Sequence, residues 1–208
     1  VVIAPFNLDL GCGPNPRPNF HGVDVLPFAG AACADLGRAP WVFEKGALPN
    51  LVKSRAGWVL RDGCVDEAHA SHFLEHLTNL EGKWERVQFF NELWRVLKVG
   101  AGCSIIIPHW CSSRYYGDPT HKEPFSEWGF YYLSKHWRID AKNAPHADAD
   151  HNPNGYSCHF DCSWGPVPHP ALSVRAAEHR QYAVEWYKEA CTDLQALIVK
   201  REYVPPKA

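Results

Sequence analysis

The segment LDLGCGPNPRPNFHGVDV, residues 8–25, constrains this chain more than any other. The alternation FNLDL at 6–10 reads as a core strand that runs into a tight turn at Gly11. GVDV at 22–25 reads as a second short strand. Three prolines fall within the eight residues PNPRPNFH between them, so no full helix fits there. The rest of the chain alternates strand and helix. VDEAHA at 65–70 is a third core strand. Residues 81–98 set Trp84, Val87, Phe90, Leu93, Trp94 and Leu97 on one helical stripe, which Gly100 and Gly102 stop. CSIIIP at 103–108 has the β-branched run of a buried parallel strand. This alternation specifies an α/β sheet with a parallel core. Strand-like segments at 156–164 and 193–201 flank a helix over 174–191, with Ala177, Val184, Tyr187 and Cys191 on one side. The stretches 44–63 and 142–155 read as loops.

With 208 residues, 46% of them apolar, the chain is long enough for one sizeable core, and one domain is expected. No apolar run approaches the ~18 residues of a membrane span, and the first residues lack the basic flank and cleavage site of a signal peptide. A net charge of −2 disfavours nucleic acid as a partner. Eight cysteines without CxxC spacing read as reduced thiols, which places the protein in a cytoplasmic compartment.

The glycine turn carries the first functional signal. Gly11 and Gly13 stand where a strand ends and a ligand can approach the backbone. Asp24 falls at the end of the next strand, where a carboxylate can accept from both hydroxyls of a ribose. Pro16 occupies the third glycine position of a dinucleotide fingerprint, and there is no GxxxxGK[ST]. A ribose site without a phosphate site points to an adenosine cofactor joined to something other than phosphate.

In this, the chain resembles the class I S-adenosylmethionine-dependent methyltransferases, in their compact small-molecule-type subgroup. Four segments carry the resemblance in order: DLGCGPNP with GVD, ADLGRAPWVF, VDEAHASHFLEHL, and NELWRVLKVGAGCSIIIP. The resemblance implies a Rossmann-like, doubly wound, mostly parallel sheet closed by an antiparallel C-terminal strand. It implies that Gly11 and Gly13, with Asp9 and Cys12 beside them, line the methionine part of the cofactor. Asp24 with Val25 would hold the ribose, Asp35 and Leu36 would border the adenine, and Ser71 and His72 would face the methyl-transfer centre. Residues 1–108 would then form a cofactor-binding half, 109–155 a substrate-side segment, and 156–208 a strand–helix–strand end. The subgroup passes from its PWVF-like turn to the next strand in a few residues, whereas here 44–63 intervene and would lie near the adenine edge.

Nine of the 30 residues from His109 to Arg138 are aromatic, against 13% for the chain, which favours an acceptor-pocket wall. Tyr115, Tyr116, Asp118 and His121 lie in a Gly/Pro-rich turn and are the expected substrate-binding residues, the acceptor being a small molecule. His72, Asp118 and His121 are the expected catalytic groups, since a base assists transfer to a hydroxyl or ammonium. His76, in FLEHL, reads as scaffold. No metal is expected. Cys158, His159 and Cys162 with His109, Cys111 and His121 lack a second tight pair for zinc, and 150–161 matches a calcium loop only in form, with Pro153 inside it. Two alternatives stay open: a nicotinamide-dependent oxidoreductase on a similar sheet, and a non-catalytic cofactor-binding subunit.

Overall fold

The computed structural model describes residues 4–140 and 155–205. Seven strands form the main sheet: β1 (Asn7–Leu10), β2 (His21–Asp24), β3 (Ala31–Cys33), β7 (Val65–Ser71), β8 (Leu97–Pro108), β9 (Phe160–Pro168) and β10 (Cys191–Lys200). Their order is β3-β2-β1-β7-β8-β10-β9. The first five run parallel, and β10 is antiparallel to both β8 and β9. The order reverses between β1 and β7, the place where such sheets open a crevice at their carboxyl ends.

Alternation along the central strands decides which face is core. Ala68, Ala70, Ile105, Ile107, Leu194 and Ile198 are buried with the helix α1 (Glu85–Val96). The intervening Glu67, His69, Ser104 and Gln195 are half-buried or exposed. As the prolines dictate, no helix lies between β1 and β2, and none lies between β2 and β3. In α1, Val87, Phe90 and Leu93 are buried as the stripe requires, together with Phe89 and Val96. Each large side chain so buried contributes roughly 1.5–3 kcal/mol. The helix is shorter than the stripe: Trp84 stands before it at φ +53°, and Leu97 already belongs to β8.

The C-terminal segments pair as a hairpin, with Phe160 opposite Lys200 and Pro168 opposite Cys191. The helix between them, once the short helices α2 (Ser113–Gly117), α3 (Glu127–Tyr131) and α4 (Lys135–Ile139) are counted, is α5 (Ala177–Trp186). It is shorter than the expected 174–191 and buries Ala183; Ala177 and Tyr187 are exposed, and Cys191 starts β10.

The stretch 44–63 is not a loop. With β4 (Val42–Phe43), it forms a second antiparallel sheet through β5 (Leu51–Lys53) and β6 (Trp58–Leu60), in the order β4-β6-β5. The β5–β6 turn is set by Ser54, whose Oγ accepts from the amides of Ala56 and Gly57. Arg95 of α1 anchors the unit, donating to the Leu60 carbonyl at 2.7 Å and to Asp62.

Candidate functional site

The turn after β1 is closed by backbone and carboxylate together. The amides of Gly11 and Cys12 both donate to the Val23 carbonyl, at 2.8 and 3.3 Å. Gly11 has φ +69°, and a Cβ there would stand 2.4 Å from the Phe73 ring, so both conformation and close approach demand glycine. Gly13 has φ +57°, but a Cβ there would meet nothing within 4 Å. Its amide donates to Asp24 Oδ2 at 2.9 Å, while the Leu26 amide donates to Oδ1 at 3.0 Å. Asp9 accepts from the Arg17 amide at 2.7 Å. These bonds hold the proline-rich connection across the ends of β1 and β2. Of the two lone pairs on each Asp24 oxygen, one is taken by a backbone amide.

Beside this turn lies a cavity of about 320 Å³, lined by Asp9, Gly11, Cys12, Arg17, His69 and Ser71. Burial, then the nearby Asp9 and Asp24, pushes the Cys12 thiol up to about 11, so it stays protonated. Burial also holds His69 below the usual imidazole range. Its Nδ1 lies 2.7 Å from Ser104 Oγ.

Past β3, the Asp24 carbonyl accepts from the Ala34 amide at 2.9 Å, which brings Asp35 next to the end of β2. Asp35 is exposed; it accepts from the Gly37 amide and pairs with Arg38. Leu36 is a core residue whose carbonyl takes the Trp41 indole. Val25 is exposed. A cavity of about 480 Å³ between the start of the 44–63 stretch and the outer strands includes His21, Gly22, Ala31, Cys33, Glu44 and Leu48.

At the end of β7, His72 takes φ +53° with its amide bonded to the Ile106 carbonyl. A 3-10 turn, Leu74–His76, follows. His72 lies between two carboxylates, Nδ1 3.5 Å from Glu75 Oε1 and Nε2 3.9 Å from Asp193 Oδ1. Glu75 is 1% exposed, and neither of its oxygens accepts a hydrogen bond from any described residue. His121 Nε2 is 3.9 Å from the same Oε1 and 3.8 Å from Asp118 Oδ2. Its Nδ1 lies 2.6 Å from the Tyr115 carbonyl. The stretch carrying these residues is tied to the turn after β7. The Lys122 amide donates to the Glu75 carbonyl, and the buried Arg86 side chain donates to the carbonyls of Leu74, Pro124 and Glu123.

The expected acceptor residues therefore divide. Tyr115 is buried, packed on the His121 ring. Tyr116 is 63% exposed and borders a separate cavity of about 440 Å³ with Trp110, Trp186 and Tyr187. Asp118 is held by the amide and hydroxyl of Thr120 at 2.8 and 2.7 Å. The six residues weighed for zinc do not assemble. His109 lies 2.9 Å from Cys111 Sγ and 2.8 Å from Glu127 and is grouped with Cys191, whereas His121 is grouped with Glu75 and His76. The first five residues of the calcium-like stretch 150–161, 150–154, lie outside the described residues. Sequence reasoning missed Phe73, Glu75, Arg86 and Asp193. Only Glu75 left a signal, a carboxylate beside a histidine within the leucine-flanked run FLEHL.

No protein-family model and no curated protein matches the sequence. Solved structures do match it. A SAM-dependent methyltransferase from Archaeoglobus fulgidus is 19% identical over 95% of this chain and 86% of its own, with a TM-score of 0.48. One from Methanosarcina mazei is 13% identical over 96% and 94%, at 0.49. One from Mesorhizobium loti is 11% identical over 96% and 92%, at 0.46.

Proposed function

We propose that this chain is an S-adenosylmethionine-dependent methyltransferase acting on a small-molecule acceptor, working as one domain. The observation that carries the reading is the junction of Gly13 and Asp24. A glycine with open space above it and a carboxylate with lone pairs to spare meet at the ends of adjacent parallel strands. No helix follows the glycine turn, so no helix N-terminus is offered to a pyrophosphate. That supports an adenosyl sulfonium over a nicotinamide dinucleotide.

When bound, the cofactor supplies an activated methyl group for in-line displacement. The protein's part is to bind and orient. In this reading Asp24 accepts from the ribose hydroxyls, the glycines admit the cofactor close to the backbone, and Ser71 and His72 face the reacting side. His72 is exposed, placed next to Ser71, and oriented by Glu75 and Asp193, so it is the group to take a proton from a hydroxyl or ammonium acceptor. Tyr115, Asp118 and His121 border this side through the His72–Glu75 cluster, apart from the aromatic cavity at Tyr116.

Calorimetry separates the readings. Saturable one-to-one binding of S-adenosylhomocysteine, with no heat from NAD, is the expected result. NAD binding without S-adenosylhomocysteine binding would reverse the assignment. Cofactor binding with no methyl transfer across a panel of small hydroxyl, amine and thiol acceptors would favour the non-catalytic subunit.

A further inference from the structure

We propose that Glu75, His76 and His121 form a binding site for a divalent transition metal of the zinc class, beside the expected methyl-transfer centre. This departs from the sequence expectation of no metal and does not depend on which organic cofactor the protein takes. One donor atom from each of the three residues lies within 4.8 Å of the others. They come from two segments, the 3-10 turn after β7 and the stretch after α2, and Arg86 clamps those segments together through three carbonyls. The site is thus built on fixed backbone rather than on surface side chains.

Glu75 supplies the independent indication of a ligand. At 1% exposure its two oxygens accept no hydrogen bond from the described residues, although a buried carboxylate ordinarily collects donors on both. Oε1 is directed at two imidazoles, His121 at 3.9 Å and His72 at 3.5 Å. The buried Arg86 guanidinium acts on Glu75 electrostatically but gives its hydrogen bonds to carbonyls, so a cation among the imidazoles would be the carboxylate's direct partner.

The imidazoles are prepared for ligation. The Tyr115 carbonyl can only accept, so its 2.6 Å contact puts the proton of His121 on Nδ1 and leaves the lone pair on Nε2, the atom that faces Glu75 and Asp118. Thr120 holds the His76 ring, with its carbonyl and hydroxyl both 3.3 Å from Nδ1. Zinc bonds to nitrogen and oxygen donors of about 2.0–2.1 Å set tetrahedral donors about 3.3 Å apart, so the cluster closes on an ion by shifts of about an ångström. Asp118, whose Oδ2 lies 3.8 Å from His121 Nε2, can supply a fourth donor at the rim. Two imidazoles and a carboxylate select a borderline ion over calcium or magnesium, which take oxygen donors. With a metal bound here, His121 would act as a ligand rather than as a base.

The test uses the full chain, stripped with chelator and titrated with Zn²⁺ and Co²⁺ by calorimetry and absorption. The expected result is one ion per chain, with cobalt d–d bands and no thiolate-to-cobalt charge transfer. Glu75→Gln and His121→Gln should each weaken Co²⁺ binding at least tenfold while thermal melts show a folded protein. Should either variant fail to fold, His76→Gln takes its place with the same expectation. No stoichiometric binding by the wild type would overturn the proposal. A thiolate charge-transfer band would overturn it in favour of the His109–Cys111–Cys191 group. Undiminished binding in the folded variants would do so as well. Binding of S-adenosylhomocysteine, measured separately, is untouched by any of these outcomes.

Discussion

Two sets of buried carboxylates stand at the carboxyl edge of the sheet, and they are treated in opposite ways. On the glycine side, Asp9 and Asp24 are 5% and 9% exposed and accept backbone amides from Arg17, Gly13 and Leu26. They shape the loop and still keep free lone pairs. On the histidine side, Glu75 is more deeply buried and accepts nothing from the described residues, with only imidazoles directed at it. A carboxylate satisfied by amides is a structural part that can also touch a neutral ligand. A buried carboxylate that accepts no hydrogen bond gains from a cation placed against it. The contrast separates a rim suited to hydroxyl groups from a rim suited to a positive ion.

The largest expected effect tests what holds the second rim in place. Arg86→Leu should lower stability by about 3–5 kcal/mol, because three carbonyls and Glu123 lose a buried cation. Urea unfolding measures it, and a loss below about 1 kcal/mol would mean that the two segments hold each other without Arg86. On the first rim, Asp24→Ala should weaken S-adenosylhomocysteine binding by roughly 1.5–3 kcal/mol, through lost ribose hydrogen bonds and a loosened Gly13 turn. Gly11→Ala should destabilise by about 1–3 kcal/mol, since the added methyl meets Phe73 and the residue must keep a left-handed backbone. Unchanged melting in that variant would show that Phe73 moves freely.

The smallest effect concerns Glu127, a carboxylate satisfied by side chains. Its hydrogen bond from His109, aided by Trp110, holds it below the usual carboxylate range. The folded state therefore gains from it fully above pH 4.5, the ordinary value, and loses the gain as pH falls through the depressed one. Glu127→Gln should flatten that part of a stability–pH curve. An identical acid limb in the variant would assign it to other carboxylates.

What the sequence revealed follows from local chemistry. Prolines between two strands leave no room for a helix, and the β-branched run at 103–108 has one natural home in a parallel core; both stand as read. The antiparallel end of the sheet came through the resemblance. The sheet over 44–63 was hidden because strands of two or three residues carry too little alternation, and its place depends on Arg95 from a distant helix. Tyr115 and Tyr116 read alike, yet they are neighbours on a single helical turn and point to different surroundings. Glu75 was missed because a charged residue in an amphipathic turn normally faces water, and its burial depends on the packing of residues 115–124 some forty positions away.

The most direct test of this account is the dissociation constant of S-adenosylhomocysteine for Asp24→Ala beside that for Glu75→Gln. The account predicts a loss of roughly tenfold or more in Asp24→Ala and a value within about threefold of wild type in Glu75→Gln. Equal losses in the two variants, or full affinity in Asp24→Ala, would contradict the division of the two rims.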